Sequence, residues 1–294
     1  MSILHHIRMG DDIMKKKSIV TLVWRTIYPI LIYITITVIV EIIICNIFAY
    51  QISSANPGIT SDMLKDMLDS RVTKSAMMIN IIAGVIIIPV LSIILKQDKE
   101  SREEKSVIVK KGEYIYPFLA GIFMCLGCNW LIDMSGIINI FTRFKEVADS
   151  LYGGSIIFEF IAMVIIAPLL EEILFRGIIF ARLREYMSVK VAIVISALIF
   201  GIIHGNVVQG IYAFIIGICL AYIYERYNTL LAAVLFHMSA NLMSVIMTEC
   251  EPVVRLISKA LVYNIIGVVC LVMGIIMLIS INRHIAKDVS REEK

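Results

Sequence analysis

The sequence predicts an all-α fold, a polytopic bundle of about eight transmembrane helices with both termini on the cytoplasmic side. Hydrophobic residues make up 59% of the chain and charged residues only 17%, and the mean hydropathy of +0.88 is far above that of a soluble domain. Apolar runs of about 20 residues, the length that crosses a hydrocarbon core of about 30 Å, recur along the whole chain. A single anchor cannot account for them, so lipid is the expected solvent.

The first apolar run follows three consecutive lysines, as the core of a signal peptide would. It is too long for such a core and lacks a small-residue cleavage site, so we expect it to remain a membrane helix. The predicted spans are 26–50, 75–95, 115–132, 155–180, 189–203, 207–224, 230–245 and 261–281.

The lysines and arginines predict the orientation of these spans. With eight spans, 20 of the 27 cationic residues fall on the side of the termini and seven on the other side. Cytoplasmic loops carry an excess of lysine and arginine, so both termini are expected to be cytoplasmic. The formal net charge of +3 then reflects a membrane face and not nucleic-acid binding. The high content of Ile, Met and Lys is typical of bacteria, which predicts an integral protein of a bacterial plasma membrane.

A mixed-charge segment between the second and third spans, KQDKESREEKSVIVKKGEY, has no apolar period and is expected to be a cytoplasmic connector. It divides the chain into residues 1–112, with two helices and the connector, and residues 113–294, with six helices. Every concentrated cluster of polar residues lies in the second part, between about 155 and 245.

Two carboxylates and an arginine interrupt the fourth span, in APLLEEILFRG. A helix places residues four apart on one face, so Glu172 and Arg176 can pair, while Glu171 points about 100° away and is left for other work. Charges at a cytoplasmic helix end cost little, and Arg182 and Arg184 fit that description. Glu171 lies roughly 15 to 22 Å further in by helix rise, which predicts a position near the middle of the membrane.

Two further spans carry polar residues at a similar depth. His204 ends the fifth span, with Phe200 one turn before it as a supporting residue. It lies roughly 22 Å from the cytoplasmic end of its helix, whereas His237 and Asn241, one turn apart on the seventh span, lie roughly 12 and 18 Å inside. Bundle packing would explain any one of these residues alone. Together they predict a water-filled catalytic cavity.

These residue types predict peptide-bond hydrolysis. Glu171 and His204 can share a water and act as general base and then general acid. His237 and Asn241 can donate hydrogen bonds to the oxygen of a tetrahedral intermediate. A His2Glu zinc set made of Glu171, His204 and His237 is the competing interpretation. The chain has no HExxH motif, and we favour a metal-free mechanism, but the sequence leaves zinc or another divalent metal open.

At these residues the sequence resembles the CPBP family of CAAX prenyl proteases and bacteriocin-processing proteins, also called Abi. The family motifs EExxxR, FxxxH and HxxxN stand here as EEILFR at 171–176, FGIIH at 200–204 and HMSAN at 237–241. The resemblance implies an intramembrane endopeptidase, of a family described both as metalloproteases and as glutamate proteases. It implies the following site: Glu171 and His204 activating water, His237 and Asn241 stabilising the oxyanion, and Glu172 and Arg176 shaping the cavity.

The resemblance leaves the substrate open, and we expect a membrane-associated peptide or protein. The main alternative is a non-enzymatic member of the family that confers bacteriocin immunity or acts as a membrane scaffold, for which Glu171 would be dispensable. A secondary transporter would favour inverted repeats and paired interrupted helices, and the sequence shows neither.

Overall fold

The computed structural model describes residues 19–102, 109–141, 155–257 and 259–292, and the regular structure within these ranges is entirely helical. This confirms the all-α prediction. The described helices of more than four residues are α1 (Ile19–Ala55), α2 (Ser61–Lys74), α3 (Ala76–Glu100), α4 (Ile115–Ser135), α5 (156–184), α6 (Val189–Ile203), α7 (Val207–Tyr227), α8 (Leu230–Glu249), α9 (Glu251–Ile257) and α10 (Ala260–Glu292).

Each predicted span falls on one of these helices, but the number of membrane crossings stays a prediction. Within the described ranges, six helices are long and apolar enough to cross a membrane: α1, α3, α4 with its preceding turn, α7, α8 and residues 260–281 of α10. Helix α6, with 15 residues, reaches only about 22 Å by helix rise. Helix α5 alternates between α-helical and π-helical winding along its length.

Helix α2 was not predicted, because its sequence SDMLKDMLDSRVTK carries charges through most of its length and shows no long apolar run. The Thr60 side chain accepts a hydrogen bond from the Met63 amide at 3.4 Å and caps the first turn. Asp62 in the first turn and Arg71 and Lys74 in the last turn match the helix dipole. Local capping and charge placement thus favour a helix that hydrophobic periodicity does not reveal.

Helices α4, α8 and α10 pack closely through glycines. A Cβ added at Gly121 of α4 would lie 2.1 Å from Ser239 Oγ on α8, and one at Gly127 would lie 2.6 Å from Leu271 Cα on α10. On α10, a Cβ at Gly267 would overlap the Trp130 ring of α4. Helix α4 is therefore held between α8 and α10, with backbones closer than larger residues would allow.

A buried ion network joins α1 and α3 to the end of α5. Arg182, with only 1% of its surface exposed, donates to both carboxylate oxygens of Asp98 at 2.6 and 3.1 Å and to the Tyr28 hydroxyl at 2.6 Å. Arg25 donates to Glu185 at 2.8 Å, and Arg102 donates to the same carboxylate at 2.8 Å. The network fixes the N-terminal helices against α5 at the end of the bundle that carries most of the cations.

Candidate functional site

A cavity of about 380 Å³ lies within the bundle and is lined by residues of α1, α3, α4, α5, α7 and α8 and by the end of α6. The four residues that the sequence predicted as catalytic all line it: Glu171, His204, His237 and Asn241. Phe200 lines it as well. The structure therefore brings the three separate motifs to one space.

Helix α5 presents its two glutamates in different environments. Phe160–Ile166 and Ile173–Phe180 are π-helical, and the short α-helical stretch Ala167–Glu172 between them carries both carboxylates. Departures from α-helical winding are frequent at functional sites because they redirect side chains. Glu171 faces the cavity with about a quarter of its side chain exposed, whereas Glu172 is fully buried behind it.

Glu172 links Arg176 to His237. Its Oε1 accepts from Arg176 Nη1 at 2.9 Å, as the spacing predicted, and also from His237 Nδ1 at 2.8 Å. The guanidinium is 1% exposed, and Arg176 Nη2 donates to the Gly217 carbonyl at 3.3 Å. Glu172 is therefore both the counter-charge of a buried arginine and the group that orients His237, and the second role was not predicted.

His237 lies between the two glutamates. With Nδ1 donating to Glu172, its Nε2 points toward Glu171, 3.7 Å from Oε2. That distance is longer than a hydrogen bond, but the two groups are close enough for a strong electrostatic interaction. The imidazole can donate through both nitrogens only in its charged form, so Arg176, Glu172, His237 and Glu171 can form a row of alternating charge.

Phe200 is the aromatic centre of the site. Its ring packs edge-on against His204 at 4.8 Å and Phe175 at 4.8 Å, and lies 6.0 Å from the His237 ring. The Arg176 guanidinium stacks over its face at 4.5 Å from the centroid. A cation over an aromatic face is attracted by the ring quadrupole. Phe200 thus holds both imidazoles and the buried arginine in fixed relative positions.

A tight turn places His204. Gly205 adopts a φ of +72° and allows the chain to reverse from α6 into α7, and the Asn206 side chain caps α7 by accepting from the Gln209 amide at 3.0 Å. His204 Nδ1 lies 2.7 Å from the Phe200 carbonyl. A carbonyl oxygen only accepts, so Nδ1 carries the proton and Nε2 of the neutral ring is left to accept one.

Asn241 lies one turn after His237 on α8 and lines the same cavity. Its Nδ2 donates to the Met163 carbonyl at 2.7 Å, within the first π-helical stretch of α5. An amide nitrogen has two hydrogens, so this bond fixes the side chain and leaves a second donor. The predicted hydrogen-bonding role is therefore compatible with the observed contact.

Several lining residues were not predicted, and they lie on other helices. Helices α1 and α3, for which the sequence indicated no concentrated chemistry, contribute Tyr33, Thr37 and Asn80. Single polar residues in an apolar helix carry no signal of their own, because their role depends on which helices pack beside them. The remaining polar lining residues that were not predicted are Asn129, Asp133, Gln209, Tyr212 and Ser244.

The residues of the zinc hypothesis do not form a ligand set in the described structure. Glu171 and His237 are neighbours, but within the described ranges no three His, Cys, Asp or Glu side chains are grouped as metal ligands. His204 completes no such group, although it lines the same cavity. A metal held by Glu171, His204 and His237 stays a prediction, and the chemistry below is derived from the side chains alone.

Comparison with known proteins identifies the segment that carries these motifs. Residues 153–243 match the family profile described as type II CAAX prenyl endopeptidase Rce1-like. The resemblance to the CPBP family is confirmed for this segment. The CPBP-like segment contains α5 to most of α8 and includes all seven defining residues of the EExxxR, FxxxH and HxxxN motifs. Helices α1, α3 and α4 lie outside it.

Two curated relatives overlap this chain. A Bacillus subtilis protein named "Putative membrane peptidase YdiL" is 37% identical over 89 residues, which cover 30% of this chain and 36% of the relative. The Lactococcus lactis UPF0177 protein YxdF is 27% identical over 133 residues, 44% of this chain and 73% of the relative. The alignment thus spans about a third of the Bacillus protein. No solved structure matches.

Proposed function

We propose that this protein is an intramembrane endopeptidase that hydrolyses a peptide bond of a membrane-associated peptide or protein. The observation that carries the proposal is the shared cavity, in which a partly exposed carboxylate meets two imidazoles and an amide within a bundle of apolar helices. Intramembrane ionisable groups are costly, so their convergence on one cavity favours chemistry over packing.

Glu171 and His204 are the proposed activators of water. Both line the cavity, and His204 has Nε2 free to accept a proton because Nδ1 donates to the Phe200 carbonyl. A water between the two would lose a proton to one of them and attack the scissile carbonyl carbon. The same proton would then be delivered to the amine that leaves, which completes hydrolysis without a covalent enzyme intermediate.

His237 and Asn241 are the proposed donors to the oxyanion. As an imidazolium, His237 donates to Glu172 through Nδ1 and offers Nε2–H to the cavity, while Asn241 offers its second amide hydrogen. Both side chains are held by hydrogen bonds within the protein before substrate binds. Fixed donors need no reorganisation as charge develops, which is the main source of their effect, and removing one donor typically costs about 100-fold to 1000-fold in rate.

The decisive variant is Glu171→Gln. It keeps the shape of the side chain but cannot accept the proton of water, so cleavage of a tagged single-span membrane peptide in cells should fall at least about 100-fold. Glu41→Gln is the matched control, because Glu41 also interrupts an apolar helix but is exposed on α1 and does not line the cavity. Full cleavage by Glu171→Gln at equal protein abundance would contradict the role of Glu171. A wild-type protein that cleaves nothing, with an immunity or scaffold phenotype that survives Glu171→Gln, would favour the non-enzymatic alternative.

A chelator separates the proposed metal-free chemistry from the zinc hypothesis. Purified protein in proteoliposomes should cleave a lipid-anchored peptide equally well after treatment with 1,10-phenanthroline and after mock treatment. Loss of cleavage that is restored by added zinc would contradict the metal-free proposal and would support a metal held by Glu171, His204 and His237.

A further inference from the structure

Among the described residues, the cavity lining extends from Glu171 toward one end of the bundle. The lining residues beyond the catalytic cluster belong to the first turns of α3 and α7 and to the last turns of α4 and α8: Asn80, Gln209, Asp133 and Ser244. Because these helices alternate in direction, these four turns all lie at the same end. Asn80 and Asp133 are exposed, so the cavity reaches the surface there, and we call these four residues the mouth.

Packed side chains close the opposite end. Beyond Glu172, every residue of Ile173–Phe180 is buried. A Cβ at Gly177 would lie 2.9 Å from Leu95 Cδ1 and 3.5 Å from Leu230 Cδ1, so three helices meet there without a gap. Phe180 then packs edge-on against Tyr224 at 5.8 Å. The buried Arg182–Asp98 pair lies beyond this layer.

The closed end is the cationic end of the bundle. Arg25, Lys96, Arg102, Arg184 and Arg226 lie at or near the helix ends on that side. The positive-inside rule assigns such an end to the cytoplasm. The mouth then belongs to the extracytoplasmic side of the membrane.

We propose that the cavity is entered from the extracytoplasmic side, and that its substrate is the extracytoplasmic segment of a membrane-anchored peptide or protein. This proposal rests on the proposed function for the identity of its substrate, whereas the route of entry rests on the cavity and the charge distribution alone. Entry from the extracytoplasmic side distinguishes this site from a protease site that cleaves the cytoplasmic end of a protein chain.

The mouth has the chemistry of a peptide-binding surface. Asn80, Gln209 and, further in, Asn129 offer both donors and acceptors, which can pair with the backbone of an extended peptide. Asp133 and Glu171 supply the only charged side chains other than histidine among the described lining residues, and both are acidic. We therefore expect neutral or cationic residues, and not acidic ones, in the segment that enters.

Cysteine labelling in intact cells tests the route without requiring catalysis. Of the six free cysteines, only Cys45 and Cys250 are not fully buried, and both are first replaced by serine. Asn80→Cys and Gln209→Cys then report on the mouth, with Lys65→Cys on α2 and Lys96→Cys on α3 as exposed references at the two ends of the bundle. The probe is a membrane-impermeant maleimide, applied before and after permeabilisation.

The proposal predicts that Asn80→Cys, Gln209→Cys and Lys65→Cys are labelled in intact cells and that Lys96→Cys is labelled only after permeabilisation. Glu171→Gln should not change this pattern. Mouth cysteines that react only after permeabilisation, together with Lys96→Cys, would overturn the proposal. Mouth cysteines that react under neither condition would overturn it as well.

A second measurement ties the route to the substrate. Cells expressing Asn80→Cys and a single-span reporter with a tag on its extracytoplasmic segment are treated with the maleimide, which should suppress cleavage several-fold relative to untreated cells. The same treatment of Lys65→Cys should leave cleavage unchanged. Unimpaired cleavage by labelled Asn80→Cys would overturn the proposed substrate route. A protein that cleaves no reporter but keeps the labelling pattern would contradict the proposed function and support the route.

Discussion

Glu172 accepts hydrogen bonds from an arginine and a histidine through one oxygen, at 2.9 and 2.8 Å. Its other oxygen, Oε2, and Arg176 Nε are buried, and no protein partner lies within hydrogen-bonding distance of either atom in the described structure. A buried ion pair is stable only as a pair, because a single remaining charge keeps its full desolvation penalty. Glu172 therefore has a structural role and a positioning role at once, whereas Glu171 is the carboxylate that reaches the cavity.

Glu172→Gln should destabilise the protein by about 3–5 kcal/mol, because it leaves the Arg176 guanidinium buried without a counter-charge. Thermal unfolding in detergent measures this effect. Glu225→Gln is the control, since it breaks the part-exposed pair with Arg184, which should contribute only about 0–1 kcal/mol. Equal melting temperatures for both variants would show that the buried row of alternating charge, which begins with Arg176 and Glu172, does not form.

The residue-level pairing was only partly predictable. Glu172 and Arg176 are four residues apart, so helix geometry alone predicted their contact. The contact between Glu172 and His237 joins residues 65 apart in sequence and depends on how α5 and α8 pack. Local periodicity carries no information on that packing, so the orienting role of Glu172 needed the structure.

At the scale of helices, close approach through glycine determines where α4 lies. Gly121 faces the Phe236 carbonyl and the Ser239 hydroxyl, one turn or less from His237. A methyl group there cannot be accommodated without moving α4 or α8, and α8 carries two of the proposed catalytic residues.

Gly121→Ala should therefore lower stability by about 1–3 kcal/mol, the usual effect of overpacking, and should reduce cleavage because His237 is displaced. Gly112→Ala is the control, since an added Cβ there meets nothing within 4 Å. The measurement is the melting temperature of each purified variant together with its rate of peptide cleavage. A Gly121→Ala protein as stable and active as Gly112→Ala would contradict the observed helix separation.

The buried ion network around Asp98 also acts at the scale of helices, because it holds α1 and α3 against the end of α5. Asp98→Asn removes the counter-charge that Arg182, Arg102 and Arg25 share, and Arg182 is buried. We expect a loss of about 3–5 kcal/mol and lower cleavage, because α1 and α3 form one wall of the cavity. Asp69→Asn on the exposed face of α2 should change neither the melting temperature nor the cleavage rate, and a comparable loss there would refute a specific role for the network.

Helix positions were largely predictable, because apolar runs of membrane length have few alternatives to a helix when water is absent. Helix α2 was not predicted, because the features that favour it are an N-terminal cap and charges that match the helix dipole. The π-helical stretches of α5 were not predicted either, since the apolar sequence on either side of Glu171 fits regular α-helical winding equally well.

For the whole molecule, sequence motifs predicted which residues meet, but not the complete space in which they meet. Two of the four mouth residues, Asn80 and Asp133, lie on helices outside the CPBP-like segment. The segment thus supplies the proposed chemistry, and the surrounding helices shape what can reach it. Substrate selection is expected to reside in α1, α3 and α4.

The most direct measurement of the central claim is hydrolysis in water enriched in ¹⁸O. Wild-type and Glu171→Gln proteins in proteoliposomes are incubated with a lipid-anchored peptide, and the fragments are identified by mass spectrometry. Water activated at Glu171 predicts two fragments from the wild type, with ¹⁸O in the new carboxyl group, and uncut peptide from the variant. Equal amounts of labelled fragments from both proteins would contradict the assignment of Glu171 as the group that activates water.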